Sequence, residues 1–239
     1  TGVTICDMEY QVNINHADLT GMLVGNPPAS GPPFTDDHGT AVCTIAAGRD
    51  HGFGVKGIAY GAGLQFTSTW RRQFGTGFTD YVSGLTNAMN LTSTGDIIIL
   101  ETQTVGPNRP ANPPEGDQTG LVSIEWIRSS YDAVETAVAN GRIIVGAAGN
   151  GKQNFDDAVY STNVEGWPNG QGPFQLANDS GSMIVGASLP LPVMAADFSN
   201  DGATVDFNGW GTDLTSGGYA TPAVLDYGTK LCYYNDFVG

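Results

Sequence analysis

The chain has 239 residues, 40% of them hydrophobic and 10% aromatic, and 24 acidic residues outnumber nine basic ones for a formal net charge of −15. A surface this poor in Lys and Arg excludes nucleic-acid binding, which needs clustered cations against phosphates. No run approaches the roughly 18–20 apolar residues of a membrane span, so no membrane partner is expected, and the opening TGVTICDMEY lacks the basic and long apolar parts of a secretory leader and reads as the start of a mature or excised domain.

In chain order, residues 2–6 (GVTIC) predict a short buried strand ending at Asp7. Residues 38–47 open polar and continue small and apolar, like a helix packed against a neighbour. Residues 57–62 are a short apolar run, and residues 64–70 the next strand. Residues 80–91 place Tyr81, Leu85, Ala88 and Met89 at helical spacing. Residues 96–100 (DIIIL) are a β-branched strand. Residues 122–140 read as one long amphipathic helix on Ile124, Ile127, Ala133, Val134 and Val138. Residues 142–147 (RIIVGA) and 182–187 (SMIVGA) are further strands. The segments 101–119 and 153–179 are Pro-, Gly- and Asn-rich and read as loops.

Strands that alternate with helices build βαβ units, and strands this continuously apolar are covered on both sides. The expected class is α/β, in three layers, with a mostly parallel central sheet and helices on both faces. Neither a repeat nor a charged linker divides the chain, so one domain over residues 1–239 is expected. Sites in such sheets form at the carboxyl ends of strands. Asp7, Glu101 and Asn150 each closely follow an apolar strand.

Three residues stand out as chemistry. A carboxylate directly after a buried strand needs a partner, so Asp7 is either a turn residue or the acid that orients a histidine. His38, in DDHGTAVCTIAAG, is either a capping histidine or a general base. His16 and His51 compete with it from polar, loop-like settings. Asn150 ends IIVGAAGNG and is either a turn residue or an amide donor to an oxyanion. Cys6, Cys43 and Cys232 form no metal-ligand pattern, and Cys6 and Cys43 read as buried thiols.

Taken together, these passages resemble the subtilisin-like serine peptidases. GVTICDMEYQVNINHADL resembles the segment around the family's catalytic Asp, DDHGTAVCTIAAG its catalytic-histidine helix, and VANGRIIVGAAGNG the turn that presents its oxyanion Asn. SMIVGAS and ADFSNDGATVDFNGWGTDLTSG resemble the later strand and the FSN segment. The resemblance implies that Asp7 orients His38, that His38 moves the proton, and that Asn150 donates to the oxyanion. It implies that Ala148 and Gly149 line the primary specificity pocket and that Gly75, Thr76 and Gly77 pair with substrate as an added strand. Peptide or protein substrates follow from the same likeness, and the acidic composition fits a secreted, extracellular location.

Two departures matter. The family's nucleophile opens a G-T-S-x-A turn, whereas this sequence reads YYNDFVG and places Gly239 like the first Gly of that turn. The acyl-forming Ser is therefore expected beyond Gly239, on a continuation or a companion C-terminal fragment, and this chain alone is expected to be inactive. The alternative is a catalytically inactive pseudo-peptidase that binds or scaffolds. The second departure is Glu101, where the family carries a Ser-Leu-Gly type segment; a carboxylate there is expected to tune pH dependence or the choice of substrate side chain. No cofactor is required for the chemistry. Structural Ca2+ in acidic loops is compatible with the family, and Asp156, Asp157, Asp201 and Asp206 are the places to look, with no ligand set assigned.

Overall fold

The computed structural model describes residues 2–29, 35–162, 164, 166–218 and 233–238. Two compact units emerge, one of residues 1–101 with 213–238 and one of residues 102–212. The first begins with β1 (Thr4–Glu9), buried from Ile5 to Glu9. Alternation along a strand puts Ile5, Asp7 and Glu9 on one face and Cys6 and Met8 on the other. The strand therefore does not end at Asp7 as expected: Asp7 lies inside it, and Glu9 closes it.

After β2 (Leu23–Asn26) comes α1 (Asp37–Ala47), then β3 (Gly63–Ser68). β3 pairs in parallel with β1, from Thr4 opposite Gly63 to Glu9 opposite Ser68, and β2 lies parallel on the other side of β3. Cys43 and Ala47 of α1 pack with Ile5, Leu64 and Phe66, so α1 covers the face that carries Asp7 and Glu9. Full burial of side chains such as Phe66 contributes about 1.5–3 kcal/mol each.

The chain next forms a hairpin of β4 (Trp70–Gln73) and β5 (Thr76–Thr79). Its two-residue turn, Phe74-Gly75, has positive φ at both positions (50° and 84°), the geometry of a type I′ turn. α2 (Tyr81–Leu91) follows, capped by the Asp80 carboxylate on the Ser83 N–H at 2.9 Å. Gly84 of α2 lies against the Met8 side, where an added Cβ would come within 2.8 Å of the Met8 sulfur. Helices thus cover both faces of β1, the layering expected from the sequence. β6 (Ile97–Leu100) completes this set, parallel to β1 with Asp7 opposite Ile99.

In the second unit β7 (Gln103–Val105) pairs antiparallel with β8 (Leu121–Ser123). The long helix expected over 122–140 is corrected here. The segment divides into β8, a single 3-10 turn at Ile124–Trp126, and α3 (Arg128–Ala139). The Ser123 hydroxyl accepts the Glu125 N–H and opens the tight turn, and Val122 enters an aromatic cluster. Apolar spacing of Ile124 and Ile127 fits either geometry, so tertiary packing decides.

β9 (Ile143–Ala147) follows α3, and the short α4 (Ala158–Ser161) lies in the segment expected to be loop. That segment also supplies core: the rings of Phe155 and Phe174 stack at 3.8 Å, and the Tyr160 hydroxyl donates to Gln153 Oε1 at 2.8 Å. β10 (Met183–Leu189) runs parallel to β9. It also pairs antiparallel with β11 (Met194–Ala195) and parallel with β12 (Phe207–Trp210).

The chain then returns to the first unit as β13 (Leu214–Gly217), antiparallel to β14 (Tyr233–Phe237). The Gly217 N–H donates to Thr44 Oγ1 at 2.8 Å, tying β13 to α1. Both units are α/β with mainly parallel principal strands. Among the described residues no helix is long and apolar enough to cross a membrane. Cys232 and Gly239 lie outside the described residues.

Candidate active site

The first unit builds a histidine–carboxylate pair where α1 meets the carboxyl end of β1. Glu9 is the last residue of β1 and His38 the second of α1. Glu9 Oε2 is hydrogen-bonded to His38 Nδ1, and Glu9 Oε1 accepts the Tyr10 N–H at 2.7 Å. Both carboxylate oxygens are thereby engaged, and only 1% of Glu9 is exposed, against 35% of the His38 side chain. The imidazole thus has one nitrogen held by a buried carboxylate while the ring keeps solvent access. The imidazole also meets the Phe237 ring, at 5.5 Å between centroids.

Gly39 allows this approach. A Cβ there would stand 2.4 Å from the Gln11 carbonyl oxygen and 3.2 Å from Glu9 Cγ. The Thr40 hydroxyl accepts the Asn13 N–H at 2.9 Å and donates to the Asp36 carbonyl at 2.6 Å, which fixes the helix start over the turn after β1. A Gly39→Ala change is expected to cost about 1–3 kcal/mol by overpacking, read as a lower urea midpoint with an unchanged m-value.

Asp7, read from the sequence as the orienting acid, is not the carboxylate that the structure brings to His38 Nδ1. It lies one strand repeat deeper, 1% exposed. Its Oδ2 accepts the Cys43 thiol at 3.3 Å, and its Oδ1 has no hydrogen-bond partner among the described residues. Burial, reinforced by the Glu9 charge, raises the Asp7 pKa well above the ordinary carboxylate value. A buried acid whose pKa is raised in this way contributes stability that is lost as pH rises, because the folded state binds the proton more tightly than the unfolded chain. Folding stability of wild type relative to Asp7→Asn is therefore expected to fall as pH is raised from about 4 towards the higher folded pKa, a difference measurable by urea titration at several pH values. Equal slopes of stability against pH for the two proteins would contradict it.

The His38 pKa reflects opposing causes. Burial works against the charged ring, but the Glu9 carboxylate and its hydrogen bond, then Glu101 and Asp7, overcome this and raise it to about 9. Glu101 directly follows β6 and is half-buried. Burial raises its pKa, His38 opposes this, and Glu9 adds to it. The competing histidines are used elsewhere: His51 Nε2 meets Asp18 Oδ1 at 2.9 Å, and His16 Nδ1 accepts the Asp18 N–H at 3.3 Å.

In the second unit Ala148, Gly149 and Asn150 form the turn after β9. Gly149 has φ +99°, and a Cβ there would meet Asn200 Nδ2 at 2.9 Å. Asn200, 1% exposed, pins the turn: its Nδ2 donates to the carbonyls of Ala148 (2.7 Å) and Leu121 (2.9 Å). The Asn150 N–H donates to Gln103 Oε1 at 2.8 Å, while no hydrogen bond to a described residue holds its side-chain amide. Sequence reasoning missed Asn200, whose signal was its place in the FSN segment, and Glu9, whose signal was its place at the true end of an alternating strand.

Of the proposed substrate-pairing residues, Gly75 sits in the hairpin turn, and Thr76 and Gly77 begin β5. The Trp70 ring packs across Gly77, where a Cβ would come within 2.0 Å of it. Asp156 Oδ1 accepts the Ala203 N–H at 3.0 Å and Asp206 Oδ2 the Ile184 N–H at 2.8 Å. Among the described residues no three His, Cys, Asp or Glu side chains converge as metal ligands.

Three solved structures share this fold. The crystal structure of a cold adapted subtilisin-like serine proteinase superposes with a TM-score of 0.62 at 18% identity, covering 100% of this chain and 69% of that one. The self-cleaved protease domain of PatA superposes with a TM-score of 0.56 at 20% identity, covering 90% of this chain and 69% of that one. Fervidolysin from Fervidobacterium pennivorans, a keratinolytic enzyme related to subtilisin, superposes with a TM-score of 0.60 at 16% identity, covering 99% of this chain and 34% of that one. No curated protein matches the sequence. The model of the subtilase family, Peptidase_S8, matches residues 1–235, and with the histidine–carboxylate pair at the end of β1 in view, the chain belongs to the subtilase family of serine peptidases.

Proposed function

We propose that the chain is the acid–base part of a serine endopeptidase that cleaves peptide bonds through an acyl-enzyme. The observation that carries this reading is the buried Glu9 carboxylate on His38 Nδ1, with the ring still open to solvent. Glu9, in place of Asp7, holds the tautomer in which Nε2 accepts a proton, and it stabilises the imidazolium formed when His38 deprotonates the attacking hydroxyl. His38 then returns that proton to the leaving amine. The Asn150 amide donates to the oxyanion of the tetrahedral intermediate. Ala148 and Gly149 line the pocket for the side chain beside the scissile bond, and β5 from Thr76 to Thr79, whose described partner is β4 alone, offers its other edge to an extended peptide.

The hydroxyl itself is assigned to a serine beyond Gly239, as a continuation of this polypeptide or a companion fragment, and the enzyme is assigned to the extracellular space. The test is fluorophosphonate labelling of the complete protein, with mass determination of the labelled peptide and an assay of casein cleavage. Label on a serine in a Gly-Thr-Ser type turn, lost in His38→Ala, is the expected result. A complete, folded protein that takes no label and cleaves no casein would overturn the reading in favour of a binding module.

A further inference from the structure

β1 and β6 run parallel with Ile5 opposite Ile97, Cys6 opposite Ile98 and Asp7 opposite Ile99. Continued by two residues, that register sets Glu101 across from Glu9. Residues two apart on a strand share a face. Ile97 and Ile99 pack with the clusters that contain Cys43, Ala41 and Val42 of α1, so Glu101 comes off β6 on the face that α1 and His38 cover. We propose that Glu101 is a second carboxylate acting on His38, a positioning residue that stabilises the imidazolium together with Glu9. This rests on reading His38 as the general base.

The charges around the ring support it. From β1 come Glu9 and the deeper Asp7, after β6 comes Glu101, and from β14, where Phe237 is the described side chain, comes the Phe237 ring. On its own element stand Cys43, bonded to Asp7, and the preceding Asp36 and Asp37. No hydrogen bond or ion pair to a described residue occupies the Glu101 carboxylate; its electrostatic neighbours are His38, which lowers its pKa, and Glu9, which raises it. An anion in that position is favourable only with a cation beside it, and among the described residues the imidazolium is the cation found there. Two carboxylates sharing one imidazolium make the base stronger and confine the free base to higher pH.

The experiment follows the His38 ring protons by NMR through a pH titration in wild type, Glu101→Gln and Glu101→Asp, alongside the acid limb of the pH profile of kcat/KM in the complete peptidase. In Glu101→Gln both the NMR midpoint and the acid limb are expected to move down by about one pH unit. In Glu101→Asp both stay nearer wild type. An unmoved midpoint in folded Glu101→Gln overturns the proposal, as does a midpoint that falls equally in the Asp variant. The NMR midpoint is read without catalysis. A shifted midpoint in a protein that cleaves no peptide therefore upholds the Glu101–His38 coupling and strikes the peptidase reading alone.

Discussion

Glu9→Gln is expected to lower kcat of the complete peptidase by about 10⁴-fold, while Asp7→Asn stays within a few-fold of wild type. The amide is nearly isosteric with the carboxylate, so packing around the pair survives and chemistry is what changes. A neutral amide neither stabilises imidazolium nor dictates the tautomer that leaves Nε2 unprotonated. At Glu9 this loss falls on the nitrogen that the structure binds to it. At Asp7 it falls on a side chain whose partner is the Cys43 thiol and whose pKa burial raises well above the ordinary carboxylate value. Steady-state kinetics on both variants, with KM followed separately, decides the matter. A 10⁴-fold loss in Asp7→Asn with an active Glu9→Gln would restore the reading first made from the sequence.

That reading shows how much of the site was legible and where it stopped. The α/β class followed from alternation of apolar strands and helical spacing, and α1, α2, β6, β9 and β10 all lie within a residue or two of their expected places. His38 was legible because a small-residue helix behind a polar start has one basic side chain at its head. The carboxylate that meets His38 was placed at Asp7 and not at Glu9 because GVTIC was taken as the whole strand, with the next carboxylate as its end. Met8 is apolar and faces α2, so the alternation simply continues to Glu9, the last residue before the turn. Carboxyl ends of strands carry chemistry only when the true end is known. The helix start before α3 failed for the same kind of reason: a Ser123 cap and the burial of Val122 are tertiary facts, invisible to periodicity. Glu101 was legible as an anomaly after β6, but its relation to Glu9 is a matter of strand register, which no single segment contains.

Asn150→Ala is expected to lower kcat by about 10²–10³-fold with little change in KM. The turn that presents Asn150 is held by groups other than its own side chain. The Asn150 N–H is bound by Gln103, Gly149 takes a positive φ of 99°, and Asn200 bonds the Ala148 carbonyl. Truncation therefore removes the amide donor and leaves the backbone where it is. An interaction made only as negative charge develops on the carbonyl oxygen appears in kcat rather than in ground-state binding. Asn200→Ala is the contrasting variant. It leaves the Ala148 and Leu121 carbonyls without their buried donor, so its effect is expected first in stability, about 1–3 kcal/mol by urea titration. If Asn150→Ala instead raises KM tenfold at constant kcat, the side chain binds substrate and the oxyanion role falls. If it lowers stability as much as Asn200→Ala does, the amide holds the turn and donates nothing to the reaction.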